Sequence, residues 1–340
     1  MMKKRILVDG YIPNNFGDDL FFYNLINDTK NIEFVFIDGF ENNFLKGQEN
    51  VTFISNKDLK LQELRKYDEY VMIGGSLFQE TDYWKKQFLQ RIIKIIKFKI
   101  MGLKLETIGF NFGPYKSKLF LFCYKIYFRF FNVLTVRDDK SYKLLKKNKN
   151  IRKYPDIAFQ TNVPNINKED ILGISVMDFG SNNTKQKIYE RALVDLLEKM
   201  PENRAIRLFS FQNSVSINDS KIINRILKKI PTRKIEVVIY DGDLYDFLVK
   251  FGQCNYMITS RFHSLVLSLL FNQPRVIINY NEKITNLYTD LNLESAIYKI
   301  SDLKCNEDFF NDVDLMLHDK ASSGLDSNFT NKAKEHMKEI

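Results

Sequence analysis

The sequence predicts an α/β fold with two doubly wound, Rossmann-like domains whose parallel sheets face each other across a cleft. Three observations predict it. The 340 residues are too many for one ordinary core. Short β-branched runs alternate with longer helical patterns in two successive series, as in parallel sheets covered on both faces. Residues 154–169, with two prolines and no helical period, separate the two series.

The first series predicts a domain over residues 1–160. Its strands are short β-branched and aromatic runs, and its helices show apolar residues at helical spacing. We expect strands at 5–9, 32–38, 70–73, 105–110 and 132–136, and helices near 18–28, 58–66, 83–101, 117–130 and 139–148.

The second series predicts a domain over residues 161–320, followed by a polar surface helix within 321–340. We expect strands at 171–177, 206–211, 235–240, 256–259 and 275–280, and helices near 184–199, 218–229, 243–251, 262–272, 284–291 and 306–318. Parallel sheets bind ligands beyond the carboxyl ends of their strands, so the strand-to-helix joints are the informative places.

Composition and charge restrict the setting and the partners. Hydrophobic residues make up 44% and charged residues 27% of the chain, and the net charge of +9 predicts an anionic partner. The three cysteines show no metal-ligand spacing, so no metal site is expected. The start is not a signal peptide, and no uncharged run approaches the roughly 20 residues of a spanning helix. We expect a cytosolic protein, either free or attached to the cytosolic membrane face.

Two classes of ligand are disfavoured by the motifs. The chain contains neither a GxGxxG fingerprint nor a P-loop, so a dinucleotide cofactor and P-loop nucleotide binding are not predicted. Nucleic acid is also disfavoured, because the positive charge is spread through mixed-sign helices and no recognised binding motif is present.

The first joint is "IPNNFGDDLF" at 12–21. Asn15 and Gly17 predict a tight turn, and Asp18 can cap the following helix. A turn and a cap account for these residues. A loop that presents backbone N–H groups to a ligand at a helix start accounts for them equally well.

Two further joints in the first domain carry glycine. Gly74 and Gly75 follow a buried strand, and Gly113 precedes a proline that forces a turn. Glycine lets the backbone approach another backbone or a ligand closely. The three glycine-marked joints together predict a lined cleft.

Arg137 directly follows a strand in "VLTVRDDKS", where its guanidinium can bind a phosphate or a carboxylate. The alternative is a salt bridge to Asp138 or to another nearby acid. Asp138 can also cap the next helix.

The joint "TSRFHSL" at 259–265 places Arg261 and His263 in the first turn after a buried strand. Helix N-termini favour anions, and a neighbouring cation is expected to lower the pKa of His263 and suit it to proton transfer. The last joint ends a strand at Tyr280 and opens a helix near Lys283. A lysine there opposes the helix dipole, which is unfavourable unless an anion is bound. The alternative is a solvated lysine whose stem covers apolar surface.

These joints together resemble the polysaccharide pyruvyl transferase family. The resemblance runs through "NNFGDD", "GGS", "GFNFGP", "VRDDKS" and "SRFHSLVLSLLFNQPRVIINYNEK". Its most specific part is the last block, in which R-x-H at a helix start precedes an apolar helix, a Gln-Pro turn, a strand and Y-x-x-K. Ser76 stands where many members have a third glycine, and Phe262 stands where many have leucine.

The resemblance implies a two-lobed GT-B-like architecture, with an acceptor side in the first domain and a donor side in the second. It implies transfer of the enolpyruvate unit of phosphoenolpyruvate to sugar hydroxyls of cell-surface glycans. His263, Arg261 and Arg137 become the catalytic candidates, and phosphoenolpyruvate is the donor substrate, with no cofactor. The candidate substrate contacts are Lys283, Tyr280, Ser260, Asn15, Gly17, Asp18, Gly74, Gly75, Gly113 and Asp138.

Two basic and apolar segments, 85–104 and 116–131, predict helices that pack on the sheet with basic outer faces. The basic faces can rest on an anionic membrane, where a lipid-linked oligosaccharide or glycan acceptor waits. A GT-B nucleotide-sugar glycosyltransferase of exopolysaccharide or capsule synthesis is the alternative enzyme, because one fold hosts both chemistries. A non-catalytic glycan- or membrane-binding subunit is the alternative from another class.

Overall fold

Two compact units make up the computed structural model of this chain. The structure describes residues 3–27, 29, 31–214, 217–304, 307–318, 325 and 327–340. The first unit comprises residues 1–13, 18–161 and 327–340, and the second comprises residues 14–17 and 162–326.

The first unit contains a seven-stranded parallel sheet. Its elements are β1 (Lys4–Gly10), α1 (Phe16–Asn27, of which the first two residues belong to the second unit), β2 (Ile32–Ile37), α2 (Asn43–Lys46), β3 (Val51–Ile54), β4 (Glu69–Ile73), α3 (Trp84–Ile100), β5 (Lys104–Phe110), α4 (Lys118–Tyr127), β6 (Val133–Val136), α5 (Asp139–Leu145) and β7 (Ile151–Lys153). The strand order is β3-β2-β1-β4-β5-β6-β7, and every neighbouring pair is parallel.

The second unit contains a six-stranded parallel sheet. Its elements are β8 (Glu169–Val176), α6 (Asn183–Lys199), β9 (Ala205–Ser210), α7 (Asp219–Lys229), β10 (Glu236–Ile239), α8 (Leu244–Gln253), β11 (Cys254–Thr259), α9 (Phe262–Leu270), β12 (Arg275–Asn279), α10 (Glu282–Asp290), β13 (Ile297–Lys299) and α11 (Glu307–His318). The strand order is β10-β9-β8-β11-β12-β13, again with parallel pairs.

The fold class predicted from the sequence is confirmed, since both units are α/β domains built on parallel sheets. All ten predicted strands are present. The strands that the sequence did not indicate, β3, β7 and β13, each have only three or four residues at a sheet edge. Such strands are half exposed and lack a continuous apolar run. The helix predicted at 58–66 is wrong, because only a 3-10 turn forms there, at Glu63–Lys66.

The described tail folds back on the first unit as α12 (Ser327–Ala333) and a 3-10 helix at Lys334–Glu339. Ala333 and His336 are buried, and Phe329 packs edge-on against Phe159 at 4.9 Å. The helix expected within 321–340 therefore forms over part of the described tail, with several exposed residues and one buried face. Phe329, Ala333 and His336 follow i, i+4, i+7 spacing, so they share one face of the helical tail.

The order of the strands fixes where loops diverge. In the second unit, β8 and β11 are neighbours, but the chain goes from β8 to β9 on one side of this pair and from β11 to β12 on the other. In the first unit, β1 leads to β2 and β4 leads to β5 in the same way. At such a switch point, the loops after the two strands separate and leave a crevice for a ligand. Residues 260–263 follow β11, and residues 74–75 follow β4.

No helix of the described chain is long and apolar enough to cross a membrane.

Candidate functional site

The joint after β11 is a tightly held turn. Arg261 is the N-cap residue of α9, with extended backbone angles (φ −114°, ψ 147°). The hydroxyl of Ser264 accepts a hydrogen bond from the Arg261 N–H at 3.2 Å and lies 2.7 Å from the Arg261 carbonyl oxygen. The turn places His263 in the first turn of α9, as the sequence predicted.

The guanidinium of Arg261 is fixed by a buried carboxylate. Arg261 Nη2 pairs with Asp219, and Nη1 donates to Gln212 Oε1 at 3.3 Å. Asp219 is fully buried and also accepts the backbone N–H groups of Asp178, Phe211 and Gln212 at 2.9–3.1 Å. Burial opposes the charge of Arg261, but Asp219 outweighs that effect and raises the pKa of Arg261. The sequence did not indicate Asp219.

Buried hydroxyl groups on β8 and α6 hold the same joint in place. Ser175 Oγ on β8 accepts the Ser260 N–H at 2.7 Å and lies 2.8 Å from Ser264 Oγ. Tyr189 of α6 lies 2.8 Å from Ser260 Oγ and donates to the Ser175 carbonyl at 3.1 Å. Ser260 is thus buried, with its hydroxyl bonded inside the domain. The sequence predicted Ser260 as a substrate contact, and its buried position favours a role in orienting Arg261.

His263 packs directly on Gly17. A Cβ atom added to Gly17 would lie 2.9 Å from the imidazole Cγ and closer still to Nδ1. The ring also stands edge-on to Phe262, with centroids 5.2 Å apart. Gly17 therefore makes room for the histidine, which is a more specific reason for glycine than the predicted turn.

The loop 14–17 is anchored within the second unit. Asn15 forms a bridge with Gln212, and Phe16 N donates to the Phe211 carbonyl at 3.0 Å. The Phe16 ring packs 4.7 Å from the Phe247 ring. Asn15 Oδ1 accepts the Gly17 N–H at 3.4 Å, so Asn15 caps the start of α1. Asp18, predicted as the cap, lies within the first turn instead.

The joint after β12 lies beside a basic pocket. Tyr280 follows the strand, and Asn281 caps α10 by accepting the N–H groups of Lys283 and Ile284 at 3.1 and 3.3 Å. Lys283 thus stands in the first turn of the helix, as expected. A pocket of about 380 Å³ is lined in part by Lys185, Asn279, Tyr280, Asn281, Lys299 and Lys304.

The first unit holds Arg137 in a similar way. Its Nη1 donates to Asp156 at 2.5 Å and its Nη2 to Asn111 at 2.7 Å, and both members of the ion pair are buried. The salt bridge considered from sequence therefore exists, with Asp156 as the partner. Asp138 instead caps α5, accepting the Ser141 N–H and hydroxyl at 2.9 and 2.7 Å.

The glycines of the first unit surround this arginine. A Cβ on Gly75 would lie 2.5 Å from the Arg137 Cζ, and the Gly75 carbonyl accepts the Asn111 N–H at 2.7 Å. Gly74 and Gly113 adopt positive φ values of 146° and 102°, which other residues rarely adopt. The structure thus brings the joints after β4, β5 and β6 together around one buried cation.

His336 supports the Arg137–Asp156 pair from the tail. Its Nε2 lies 2.7 Å from the Pro155 carbonyl and its Nδ1 lies 2.6 Å from Thr135 Oγ1. A carbonyl only accepts, so Nε2 carries the proton and Nδ1 accepts from the threonine. Burial lowers the pKa of His336 to about 4, which keeps the ring neutral at pH 7.

The residues that the sequence did not identify are the partners of the cations. Asp219 and Asp156 each hold one arginine, and neither lies within a motif that the sequence singled out. Asp156 falls in the proline-containing segment, while Asp219 opens a helix, where acidic residues are common. Among the described residues, no group of three or more His, Cys, Asp or Glu side chains is arranged to hold a metal ion.

A parallel sheet with an R-x-H at its switch point, in a chain of two parallel-sheet units, defines a Rossmann-like α/β protein. The chain belongs to the polysaccharide pyruvyl transferase family, whose model matches residues 15–282. It is 21% identical over 269 residues to the amylovoran biosynthesis protein AmsJ of Erwinia amylovora, covering 71% of this chain and 63% of AmsJ. The match thus spans less than two thirds of that relative.

Solved structures with little sequence identity share the fold. Anabaena HepE in complex with UDP and glucose is 11% identical, with a TM-score of 0.58 and coverage of 99% of this chain and 98% of HepE. The UDP-GlcNAc 2-epimerase of Methanocaldococcus jannaschii, in complex with UDP-GlcNAc and UDP, is 12% identical, with a TM-score of 0.60 and the same coverages. These similarities show a common GT-B-like fold.

Proposed function

We propose that this protein transfers the enolpyruvate unit of phosphoenolpyruvate to two hydroxyls of a sugar in a cell-surface glycan precursor, forming a pyruvate ketal and releasing phosphate. The observation that carries the proposal is the Arg261–His263 pair at the switch point of the second sheet, in a chain of this family. The pair combines a fixed cation with a side chain that transfers protons near neutral pH.

The chemistry assigns a task to each residue type. Protonation of the methylene carbon of phosphoenolpyruvate makes its central carbon electrophilic, and the first sugar hydroxyl attacks there and loses its proton to a base. Attack by the second hydroxyl forms the other C–O bond as the bond to phosphate breaks, and the proton of that hydroxyl leaves with the phosphate. His263 serves as acid and base, while Arg261 and Lys283 bind the phosphate and carboxylate of the donor. Asp219 is not the base, because Arg261 and three backbone donors already hold it.

The acceptor in this proposal is a lipid-linked oligosaccharide or another glycan precursor of an exopolysaccharide, capsule or cell wall. The donor is a cytosolic metabolite, so the reaction belongs on the cytosolic side. Of the described cysteines, Cys254 is buried, and burial raises the pKa of its thiol to about 12. Cys305 lies outside the described residues.

The test combines a thermal-shift titration with phosphoenolpyruvate and an assay of phosphate release with a crude lipid-linked glycan acceptor. Arg261→Lys keeps a charge opposite Asp219 but loses the planar fork, so we expect weaker stabilisation by phosphoenolpyruvate. His263→Gln should keep donor binding and lose about 10²- to 10⁴-fold in turnover. His318→Gln alters an exposed histidine of the same unit and is the control. Normal turnover by His263→Gln would refute the proposed proton transfer.

A nucleotide-sugar glycosyltransferase is the second candidate function. The basic pocket beside Tyr280 favours it, because three lysines and the capped start of α10 suit a diphosphate. Stabilisation by a nucleoside diphosphate, with none by phosphoenolpyruvate, would establish this alternative. A non-catalytic glycan-binding subunit predicts instead that Arg261→Lys and His263→Gln leave the biological function intact.

A further inference from the structure

We propose that the outward faces of α3 and α4 form an insertion surface for an anionic membrane. The sequence indicated helices with buried apolar sides and basic outer faces. The structure adds a second, exposed set of apolar side chains on both helices. Leu89, Ile93 and Ile100 of α3 are 58%, 46% and 74% exposed, and Phe122 of α4 is 61% exposed.

The exposed apolar residues of α3 form one continuous stripe. Leu89, Ile93, Ile96 and Ile100 are spaced four, three and four residues apart, so they fall within an arc of about 60° on an α-helix. The inner side of α3 buries a different set, which includes Trp84, Ile95 and Phe98. The exposed stripe is therefore additional to the residues that hold the helix on the sheet.

Helix α4 extends this apolar surface. Leu119, Phe122 and Ile126 are exposed at spacings of three and four residues, while Phe120, Tyr124 and Tyr127 are buried. The two helices pack together through Phe88 and Tyr124, whose ring centroids are 5.4 Å apart, and through Trp84 and Phe120 at 5.3 Å. An exposed apolar area of this kind marks a binding surface for a protein or a membrane.

The charges around the stripe favour an anionic bilayer. Residues 83–105 and 107–137 contain no Asp or Glu. Lys85 and Lys99 flank the α3 stripe on one side, Lys86 and Lys97 flank it on the other, and all four are exposed. Lysines so placed can lay their methylene stems along lipid while their ammonium groups reach the head groups. A second copy of this chain would bring the same cations and would be repelled.

Vesicle co-sedimentation of the full chain tests this inference. The probes are vesicles of phosphatidylcholine alone and of phosphatidylcholine mixed with phosphatidylglycerol. We expect wild type to sediment with the anionic vesicles, and added salt to weaken but not abolish binding, since the apolar contribution is not screened. The variant Leu89→Gln/Ile93→Gln/Ile96→Gln should bind about tenfold more weakly or worse.

A matched control replaces exposed apolar residues elsewhere. Leu61→Gln/Tyr245→Gln/Leu315→Gln changes side chains that are 51–68% exposed, against 38–58% for the three replaced in the stripe, and it should bind vesicles like wild type. Failure of wild type to sediment with anionic vesicles overturns the inference, as does unchanged binding by the stripe variant. A third outcome also overturns the inference. If the wild type does not bind vesicles and is a dimer in light scattering, and if the stripe variant is a monomer, the surface is a protein contact. Since the phosphoenolpyruvate titration uses no vesicles, either proposal can fail without the other.

Discussion

Two of the three catalytic candidates, His263 and Arg137, each lie against a glycine. Gly17 contacts the imidazole of His263, and Gly75 contacts the guanidinium of Arg137. In both cases a methyl group on the glycine would occupy the space of the side chain that the chemistry needs. The sequence marked these glycines as turns or ligand-facing loops, because a pattern of neighbours cannot show a contact made with a distant part of the chain.

Gly17→Ala is expected to displace His263 and to lower the turnover of the proposed transfer more than it changes the KM for phosphoenolpyruvate. The added methyl overlaps the ring, so either the imidazole or the loop must move, at a cost of about 1–3 kcal/mol in stability. Steady-state kinetics with a thermal melt measures both effects.

Gly47→Ala is the control for this substitution. A Cβ on Gly47 would meet only the Phe44 carbonyl, at an ordinary 3.6 Å, and its φ of −82° suits alanine. Turnover by Gly17→Ala equal to that of Gly47→Ala would show that the histidine does not depend on the space left by the glycine.

Asp219→Asn is expected to destabilise the second unit by about 3–5 kcal/mol. The substitution leaves the buried guanidinium of Arg261 without its counter-charge. It also replaces one of the two carboxylate oxygens, which together accept three backbone N–H groups, by an amide NH₂ that cannot accept. Urea denaturation gives the free energy of unfolding. Asp302→Asn, at an exposed position, should change it by less than about 1 kcal/mol. Equal midpoints for the two variants would contradict the structural role given to Asp219.

At the scale of secondary-structure elements, the informative unit is the strand-to-helix joint. The joint after β11 combines a capped helix start, three serines and a tyrosine, so its geometry is fixed before any ligand arrives. The tail provides a comparable support in the first unit, where the neutral ring of His336 links Thr135 on β6 to Pro155.

This support predicts a dependence of stability on pH. The pKa of His336 is about 4 in the folded chain, below the ordinary value of 6.5, so the unfolded chain binds more protons between these values. Stability should therefore fall as the pH drops below 6.5, by about 2 kcal/mol between pH 7 and pH 5 from this residue alone.

Urea midpoints at pH 7 and pH 5 measure this contribution. His336→Gln should be less stable than wild type at pH 7, but it should lose less stability on going to pH 5. His318→Gln should keep the wild-type difference, because that histidine is exposed. A wild-type pH dependence that survives in His336→Gln would remove His336 as its source.

For the whole molecule, the sequence predicted most of the fold. In each candidate site it predicted the arginine but not the aspartate that pairs with it. The ten longer strands have apolar runs that tertiary packing reinforces, so periodicity located them. The four-residue helix α2 and the three short edge strands are too short to show a period. Arg137 and Arg261 could be found because they follow strands, whereas Asp156 and Asp219 are brought to them only by folding.

The position of the tail could not be predicted either, because its polar composition conceals one buried face. Removal of residues 327–340 is expected to increase amide hydrogen exchange in β6 and β7. These strands lose the contact of Thr135 with His336 and the shielding of the buried face of the tail.

Exchange measured by mass spectrometry should change little in the strands of the second unit, since the tail belongs to the first unit. Arg152→Gln removes only an exposed ion pair with Glu339 and should have a much smaller effect. Unaltered exchange in β6 and β7 after truncation would show that the tail contributes nothing to that sheet.

The contact between Gly17 and His263 also determines how this protein can be altered by design. Positions 17 and 263 share one volume, so the two positions behave as a single site under mutation. A library that varies position 17 alone would return mostly inactive variants and would wrongly suggest that the loop itself is intolerant. A library that varies both positions together can reveal pairs in which a larger residue at 17 accompanies a smaller one at 263, and so separate the fit of the two residues from the chemistry of the imidazole.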